Sequence, residues 1–245
     1  MVKPQKTSQK NLAALAKNPY PGRGIIVGLD AAGENLVQVY WIMGRSAHSR
    51  NRVFTNDAGR VFTEPADPSR AGDTSLIIYN AMNEREGEFV VSNGAQTDTV
   101  VESLSKGGSF RWAMQTWQYE PDVPNYTPRI AALASIRGRV PLVQMAILRK
   151  DAVGEECERC FYDFSRDEIT HGQGYCLTTY SGDGGPLPAF RDVPYVLPLE
   201  GYIQDVAATF WNALNVDNRV SLAVKFISLA SGDSTVEIVN KFSKA

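Results

Sequence analysis

Residues 24–43 read GIIVGLDAAGENLVQVYWIM, two apolar runs parted by a short polar turn. Gly24–Leu29 and Leu36–Met43 have the length and composition of strands, and Ala32, Gly33, Glu34 and Asn35 supply the turn between them. In the second run Val37, Val39, Trp41 and Met43 recur at spacing two, so they share one face of an extended chain, as a sheet packed on a core requires. Two such neighbours with a short connection predict an antiparallel pair.

Outward from this pair the pattern alternates in blocks. Upstream, residues 9–17 suit a short helix, which Asn18, Pro19 and Pro21 would end. Downstream, further strands are expected at Arg60–Thr63, Leu76–Tyr79 and Glu88–Ser92. The period then changes. Thr97, Asp98 and Thr99 look like a helix start, followed by Val100, Val101 and Leu104 before Gly107 and Gly108. A second helix over Ser109–Tyr119 would bring Phe110, Ala113, Met114 and Trp117 onto one face. Strands return at Ile130–Ile136, Leu142–Leu148, Arg159–Phe164 and Tyr175–Tyr180, and a glycine- and proline-rich loop follows at residues 181–188. The clearest helix is Leu199–Leu214, and in the closing strands Leu222, Val224 and Phe226 alternate with Ser221, Ala223 and Lys225. Segregated blocks of this kind predict an α+β architecture of antiparallel sheets with helices packed outside. No shift in composition marks a linker, so one domain is expected over residues 19–245 behind an extension at residues 1–18.

Composition removes several functions. A net charge of −2 in 245 residues speaks against a broad basic surface for nucleic acid, while a local arginine cluster can still hold a small anion. The three cysteines, Cys157, Cys160 and Cys176, include one Cys-x-x-Cys pair with no second pair and no histidine at zinc spacing, so they read as reduced structural residues. His48 and His171 are the only two histidines, which excludes a multi-histidine metal site. There is no phosphate-binding Gly-x-x-x-x-Gly-Lys motif and no Gly-x-Gly-x-x-Gly after a strand. The polar, lysine-containing N-terminus lacks the apolar core of a signal peptide, and no apolar run reaches roughly 18 residues, so a cytoplasmic protein without membrane contact is expected. What remains is chemistry by Tyr, Glu, Asp, Lys or Arg.

Four constellations could carry it. Tyr20-Pro21-Gly22-Arg23-Gly24 leads into the first strand, either as a plain turn or as a close backbone approach to a ligand with Arg23 on an anion. The second strand ends in Arg45, Ser46, Asn51 and Arg52, with His48, Ser49 and Arg50 between them. That is either a solvated loop or a cationic spot able to grip phosphate. Ser92-Asn93-Gly94-Ala95-Gln96-Thr97-Asp98 joins a strand to a helix start, where unpaired N–H groups are either capped or offered to a ligand. Tyr119-Glu120-Pro121-Asp122 and Tyr126-Thr127-Pro128-Arg129 gather carboxylates, tyrosines and an arginine, as surface decoration or as proton-transfer equipment.

In their order along the chain these segments resemble the archaeal-type IMP cyclohydrolase family. The resemblance is carried by Tyr20–Arg23, Arg45–Arg52, Tyr79-Asn80, Ser92–Thr99 and Tyr119–Ala132, and covers roughly residues 19–135. The later half is similar only loosely, through Thr178-Thr179-Tyr180, and the stretch 162–174 departs from shorter members. The resemblance implies an αββα four-layer sandwich like that of N-terminal-nucleophile hydrolases. It implies no self-processed nucleophile, since Gly22-Arg23-Gly24 stands where one would be. It also implies the reaction: a formamidoimidazole carboxamide ribonucleotide closes its second ring and expels water, without metal or organic cofactor. The assembly it implies is a homo-oligomer. By carry-over, Tyr79 and Glu120 are the proton-transfer residues. Asn93, Gly94, Thr97 and Asp98 would hold the reacting groups, and Arg23, Arg45, Ser46, Asn51, Arg52 and Arg129 the phosphate and ribose. The rival expectations are an amide hydrolase or another nucleotide-acting enzyme on the same scaffold, and a nucleotide-binding protein without turnover.

Overall fold

Most of the apolar runs become strands, and the central ones are buried on both faces rather than one. The computed structural model describes residues 4–71, 74–138 and 142–244. Along the chain come α1 (Pro4–Lys17), β1 (Gly24–Leu29), β2 (Asn35–Met43), the single turn α2 (Ala47–Arg50), β3 (Val53–Asp57) and β4 (Arg60–Glu64). Then follow β5 (Asn80–Arg85), β6 (Glu88–Ser92), α3 (Gln96–Ser105), α4 (Phe110–Gln115), β7 (Arg129–Ser135), β8 (Val143–Lys150) and β9 (Cys157–Phe164). The last elements are β10 (Gln173–Thr178), β11 (Tyr195–Pro198), α5 (Ile203–Ala213), β12 (Arg219–Ser228) and β13 (Ser234–Asn240).

These strands form two antiparallel sheets, one ordered β11-β10-β1-β2-β12-β13 and the other β3-β4-β5-β6-β7-β8-β9. The period of two explains how they stack. Leu36, Tyr40 and Ile42 of β2 meet Phe54, Phe89, Val91 and Ile130 of the other sheet in one apolar core. The alternate residues Val37, Val39, Trp41 and Met43 turn the other way, into a second core with Leu15 of α1 and Val206 and Phe210 of α5. Trp41 and Phe210 stack there with centroids 6.4 Å apart. The outer face of the second sheet packs Val90, Ala131 and Leu133 on Val100 of α3 and on Phe110 and Met114 of α4. Fully burying one such side chain stabilises by about 1.5–3 kcal/mol, so each helix is held by several of these contacts rather than by its own propensity.

Some expectations need correction. Residues 76–79 do not form a strand. The N–H groups of Ile77 and Ile78 both donate to the Thr74 carbonyl, which turns the chain, and the buried Ile77 and Tyr79 plug the core instead. The strand begins one residue later, in the polar-looking β5, and β3 and β11 lacked a clear alternation as well. The helix expected to reach Tyr119 stops at Gln115, where the Thr116 hydroxyl donates to the Ala113 carbonyl. α3 is not capped by Thr97 or Asp98: Ala95 holds the cap position, Thr97 bonds Ser92, and Asp98 accepts from Asn80. Within the expected extension at residues 1–18, the short helix read at residues 9–17 is present as the longer α1. It lies on β11 and α5, and the Asn11 amide donates to the Val196 carbonyl at 2.9 Å.

Candidate active site

The site forms where the start of β1, the end of β2 and the loop before β7 converge. Gly22 has φ +73°, and a Cβ on it would lie 2.2 Å from Thr179 Oγ1 and 2.5 Å from the Tyr180 ring. Only glycine lets this turn press so closely on residues 179–180. The result aims the Arg23 side chain inward while its N–H donates to Thr179 Oγ1 at 3.1 Å.

Arg23 meets Glu120, which is 2% exposed, and both terminal nitrogens donate to Glu120 Oε2 at 3.4 Å. The other carboxylate oxygen faces Arg129 Nη1 at 3.9 Å and the Asn93 amide at 3.5 Å. Asn93 is buried and already stitched in place. Its amide donates to the Pro128 carbonyl at 2.9 Å, and its oxygen accepts from Ile130 N at 2.8 Å and Gln96 Nε2 at 2.9 Å. Burial raises the Glu120 carboxyl above the usual carboxylate range, outweighing the pull of Arg23 and Arg129. Burial also works against the charge on Arg23, but Glu120 and the hydroxyls of Tyr79, Tyr40 and Tyr180 overcome it and hold that guanidinium well above its ordinary value.

Outside this pair opens a cavity of about 270 Å³, lined among others by Tyr20, Arg23, Arg45, Ser46, Arg52 and Tyr180. Arg52 is 1% exposed and has no carboxylate partner among the described residues. Its Nε donates to the Ser49 carbonyl at 2.9 Å, while its Nη1 is buried without an acceptor among the described residues, as is Arg23 Nε. Burial lowers the Arg52 pKa, with neighbouring Arg23 adding to the effect. Arg45 reaches the same cavity from its rim, above the Tyr20 ring at 5.1 Å, and donates to Asp183 and to the Gly184 carbonyl. Among the described residues the one carboxylate on the lining, Asp122, is occupied by the Thr127 N–H and hydroxyl. The cavity wall therefore carries unspent positive charge and unspent N–H donors.

Tyr79 lies deeper, buried just before β5, within electrostatic reach of Arg23 and Arg52 and with its hydroxyl 2.7 Å from that of Tyr40. Not every sequence candidate reaches the cavity. Asn51 exchanges two bonds with the Asp67 backbone and so clamps a loop. Thr97 and Asp98 serve the α3 turn as described, and Gly94 allows Arg129 and Gln96 a close approach that a Cβ at 2.6 Å would block. Arg129 stacks on Trp117 at 4.7 Å and donates to the Gln118 carbonyl and to Gln96, buttressing Glu120 from behind. Conversely, Tyr20, Thr127 and Tyr180, quoted in the sequence motifs but given no role, join the site, as do Tyr40 and Leu187, which were not singled out. Tyr40 was the readable one: a phenol on the face of β2 that also carries Leu36, Gln38 and Ile42.

Residues 20–232 match the model of the family described as IMP cyclohydrolase-like protein. The chain belongs to this family. Among curated IMP cyclohydrolases, that of Natronomonas pharaonis is 31% identical over 156 residues, 62% of this chain and 77% of the relative. That of Methanothrix thermoacetophila is 31% identical over 169 residues, 67% of this chain and 76% of the relative. That of Haloquadratum walsbyi is 29% identical over 138 residues, and there the chain spans 64% of the relative's length. The IMP cyclohydrolase-like match begins at Tyr20, the first residue of the cavity wall, and so takes in every lining residue.

Proposed function

We infer that the chain is an IMP cyclohydrolase, closing the purine ring of 5-formamidoimidazole-4-carboxamide ribonucleotide to give IMP and water. One observation carries the assignment of the site within that reading: Arg23 and Arg52 bury unpartnered N–H groups at a nucleotide-scale cavity that offers them no free carboxylate. Buried donors without acceptors are costly, so an anionic ligand that accepts from them is favoured there. The cavity is near the small end of ligand pockets, roughly 300 Å³.

In the reaction the carboxamide nitrogen attacks the neighbouring formyl carbon, forming the new C–N bond. One proton leaves that nitrogen and one leaves the formamido nitrogen, and both depart on the former formyl oxygen as water. The reacting groups share one small ring, so proximity is supplied by the substrate. The protein's work is proton transfer and stabilisation of the developing oxyanion, which needs neither electron transfer nor a group carrier. Tyr79 is the donor to the departing oxygen. Glu120, whose raised pKa brings it nearer to working pH, takes and relays a nitrogen proton once Arg23 trades its long 3.4 Å contacts for the substrate. Arg52, Arg45 and Ser46 are the phosphate side. The two sheets with outer helices are read as the αββα sandwich of N-terminal-nucleophile hydrolases, in a single domain acting in the cytoplasm.

The test is incubation of purified protein with the formamido ribonucleotide in excess chelator, following the ultraviolet change as the purine forms. IMP formation at an unaltered rate is expected. Loss of rate restored by a divalent ion sinks cofactor independence. No turnover by folded protein favours another amide- or nucleotide-directed activity.

A further inference from the structure

The geometry points to Tyr40 as a positioning residue that donates its hydroxyl proton to Tyr79 Oη and so leaves the Tyr79 proton free for the substrate. This rests on Tyr79 being the proton donor. β2 places Tyr40 on the face turned toward the second sheet, fully buried, between Ile25 of β1 and Ala223 of β12. Its ring tilts on Phe54 at 5.5 Å, so the side chain has little freedom. A phenol carries one proton to donate, and a buried hydroxyl is expected to spend it. The Tyr79 hydroxyl, 2.7 Å away, is the one hydrogen-bond partner of Tyr40 Oη among the described residues.

The pair holds two protons and one gap between oxygens, so one proton must point elsewhere. Tyr40 is 0% exposed and Tyr79 is 7% exposed, so Tyr79 is the more open residue of the two, and on this inference the proton left over is the one on Tyr79. The Tyr79 backbone is held in place as well: its N–H donates to Thr63 Oγ1 at 2.9 Å and its carbonyl accepts from Thr63 N at 3.0 Å. Burial pushes the Tyr40 hydroxyl well above its usual pKa, with the neighbouring Tyr79 adding to that, so Tyr40 remains a donor throughout the working range of pH. When Tyr79 gives its proton to the departing oxygen, negative charge develops on Tyr79 Oη. The Tyr40 bond then strengthens, with Arg23 and Arg52 close by. The proton is returned to Tyr79 from the substrate nitrogen through Glu120, and no proton leaves Tyr40.

Turnover of Tyr40→Phe, Tyr79→Phe and the double variant separates the possibilities, with thermal melts and IMP affinity measured alongside. Tyr79→Phe should lose about 10²–10⁴-fold in kcat. Tyr40→Phe should lose about 5- to 30-fold in kcat with KM and IMP affinity within about twofold, because its bond matters most in the transition state. The double variant should be no slower than Tyr79→Phe, since Tyr40 acts only through Tyr79. Wild-type kcat in Tyr40→Phe, or a double variant whose loss is the product of the two, overturns the role of Tyr40 while leaving Tyr79 intact. Near-normal kcat in Tyr79→Phe removes the donor itself and the inference with it. A measurement on the unaltered protein stands beside these, should Tyr40→Phe fold poorly. With tyrosine carbon-13 labelled at Cζ, the hydroxyl of Tyr40 should show slow hydrogen exchange and that of Tyr79 fast exchange. Slow exchange at Tyr79 and fast at Tyr40 reverses the bond and overturns the inference.

Discussion

Replacing Arg52 with Met should make the ligand-free protein more stable and its nucleotide complex weaker. The guanidinium is 1% exposed, without a carboxylate partner, beside another arginine, and with one nitrogen that has no acceptor. Removing a cation from water carries an effective penalty of several kcal/mol in a folded protein. Against it stands the bond from Nε to the Ser49 carbonyl, about 1.5–3 kcal/mol for a charged donor. Met keeps the apolar stem and removes the charge, so about 1–2 kcal/mol of net relief is expected. In a domain this large each kcal/mol moves Tm by about 2–4 °C, so Tm should rise by about 2–8 °C. Nucleotide affinity should fall by about 1.5–3 kcal/mol, a factor of about 10 to 150, and affinity for the dephosphorylated nucleoside should hardly change. Thermal melts and calorimetric titrations with IMP and inosine read both effects. A variant that melts lower than the unaltered protein and still binds IMP as tightly would refute the reasoning.

Two further predictions concern the framework. Lys225 is 1% exposed and paired with Glu84, which is 34% exposed, and its Nζ also donates to the Gly59 carbonyl. Glu84→Gln strands a buried cation and should cost about 3 kcal/mol or more, whereas Lys225→Met leaves a half-wet carboxylate and should cost about 1 kcal/mol. Denaturant titration giving the opposite order refutes this. Arg149 hydrogen-bonds Glu158 and pulls its carboxyl from 4.5 to about 2. A carboxyl depressed on folding adds stability that is present above the unfolded value and lost as pH falls through the folded one. Glu158 is 40% exposed, so solvent screening leaves about 1 kcal/mol of it. Glu158→Gln should therefore be less stable than the unaltered protein at pH 7, the gap closing between about pH 4.5 and 2. A gap that persists at pH 2 contradicts the pairing.

The α+β class and the order of the blocks were readable because apolar period is a local property. β1 and β6 were bounded to the residue, and β2 to within one. Depth was less readable. Val37, Val39, Trp41 and Met43 signalled one buried face of β2, but its other face is buried too, with Gln38 and Tyr40 among its residues. Alternation cannot report burial by a second sheet when the residues facing it include an amide and a phenol. β5, reading NAMNER, failed to signal because only Ala81 and Met82 of its six residues face a core. In the site, sequence spacing brought together Arg45, Ser46 and Arg52, which sit on one short segment. It did not join Tyr180 to Thr127, which reach the cavity across 53 residues of chain to bond each other. Asn51 shows the converse. Its neighbours face the cavity, but its own amide is spent on Asp67, a fact decided by a loop that no local pattern foretells.

The two halves of the site answer different demands. On the cavity side, arginines with unused N–H groups are held ready where folding alone would rather not have them. Stability is commonly given up at functional sites in this way, and an anionic ligand recovers it on binding. On the inner side, Tyr40, Tyr79, Asn93 and Glu120 are buried and mutually bonded or braced, so they lose little further freedom when the reaction occurs. A substrate that carries its own nucleophile and electrophile on one ring needs no help in bringing them together, which makes this division workable. On the proposed reading, binding energy is drawn from the phosphate end while the inner groups act only as charge develops. Changes to the arginines should thus appear chiefly in affinity, and changes to the inner hydroxyls chiefly in kcat. A single residue that moved both equally would have to touch both halves, and Arg23, which lines the cavity and bonds Glu120, is the one placed to do so.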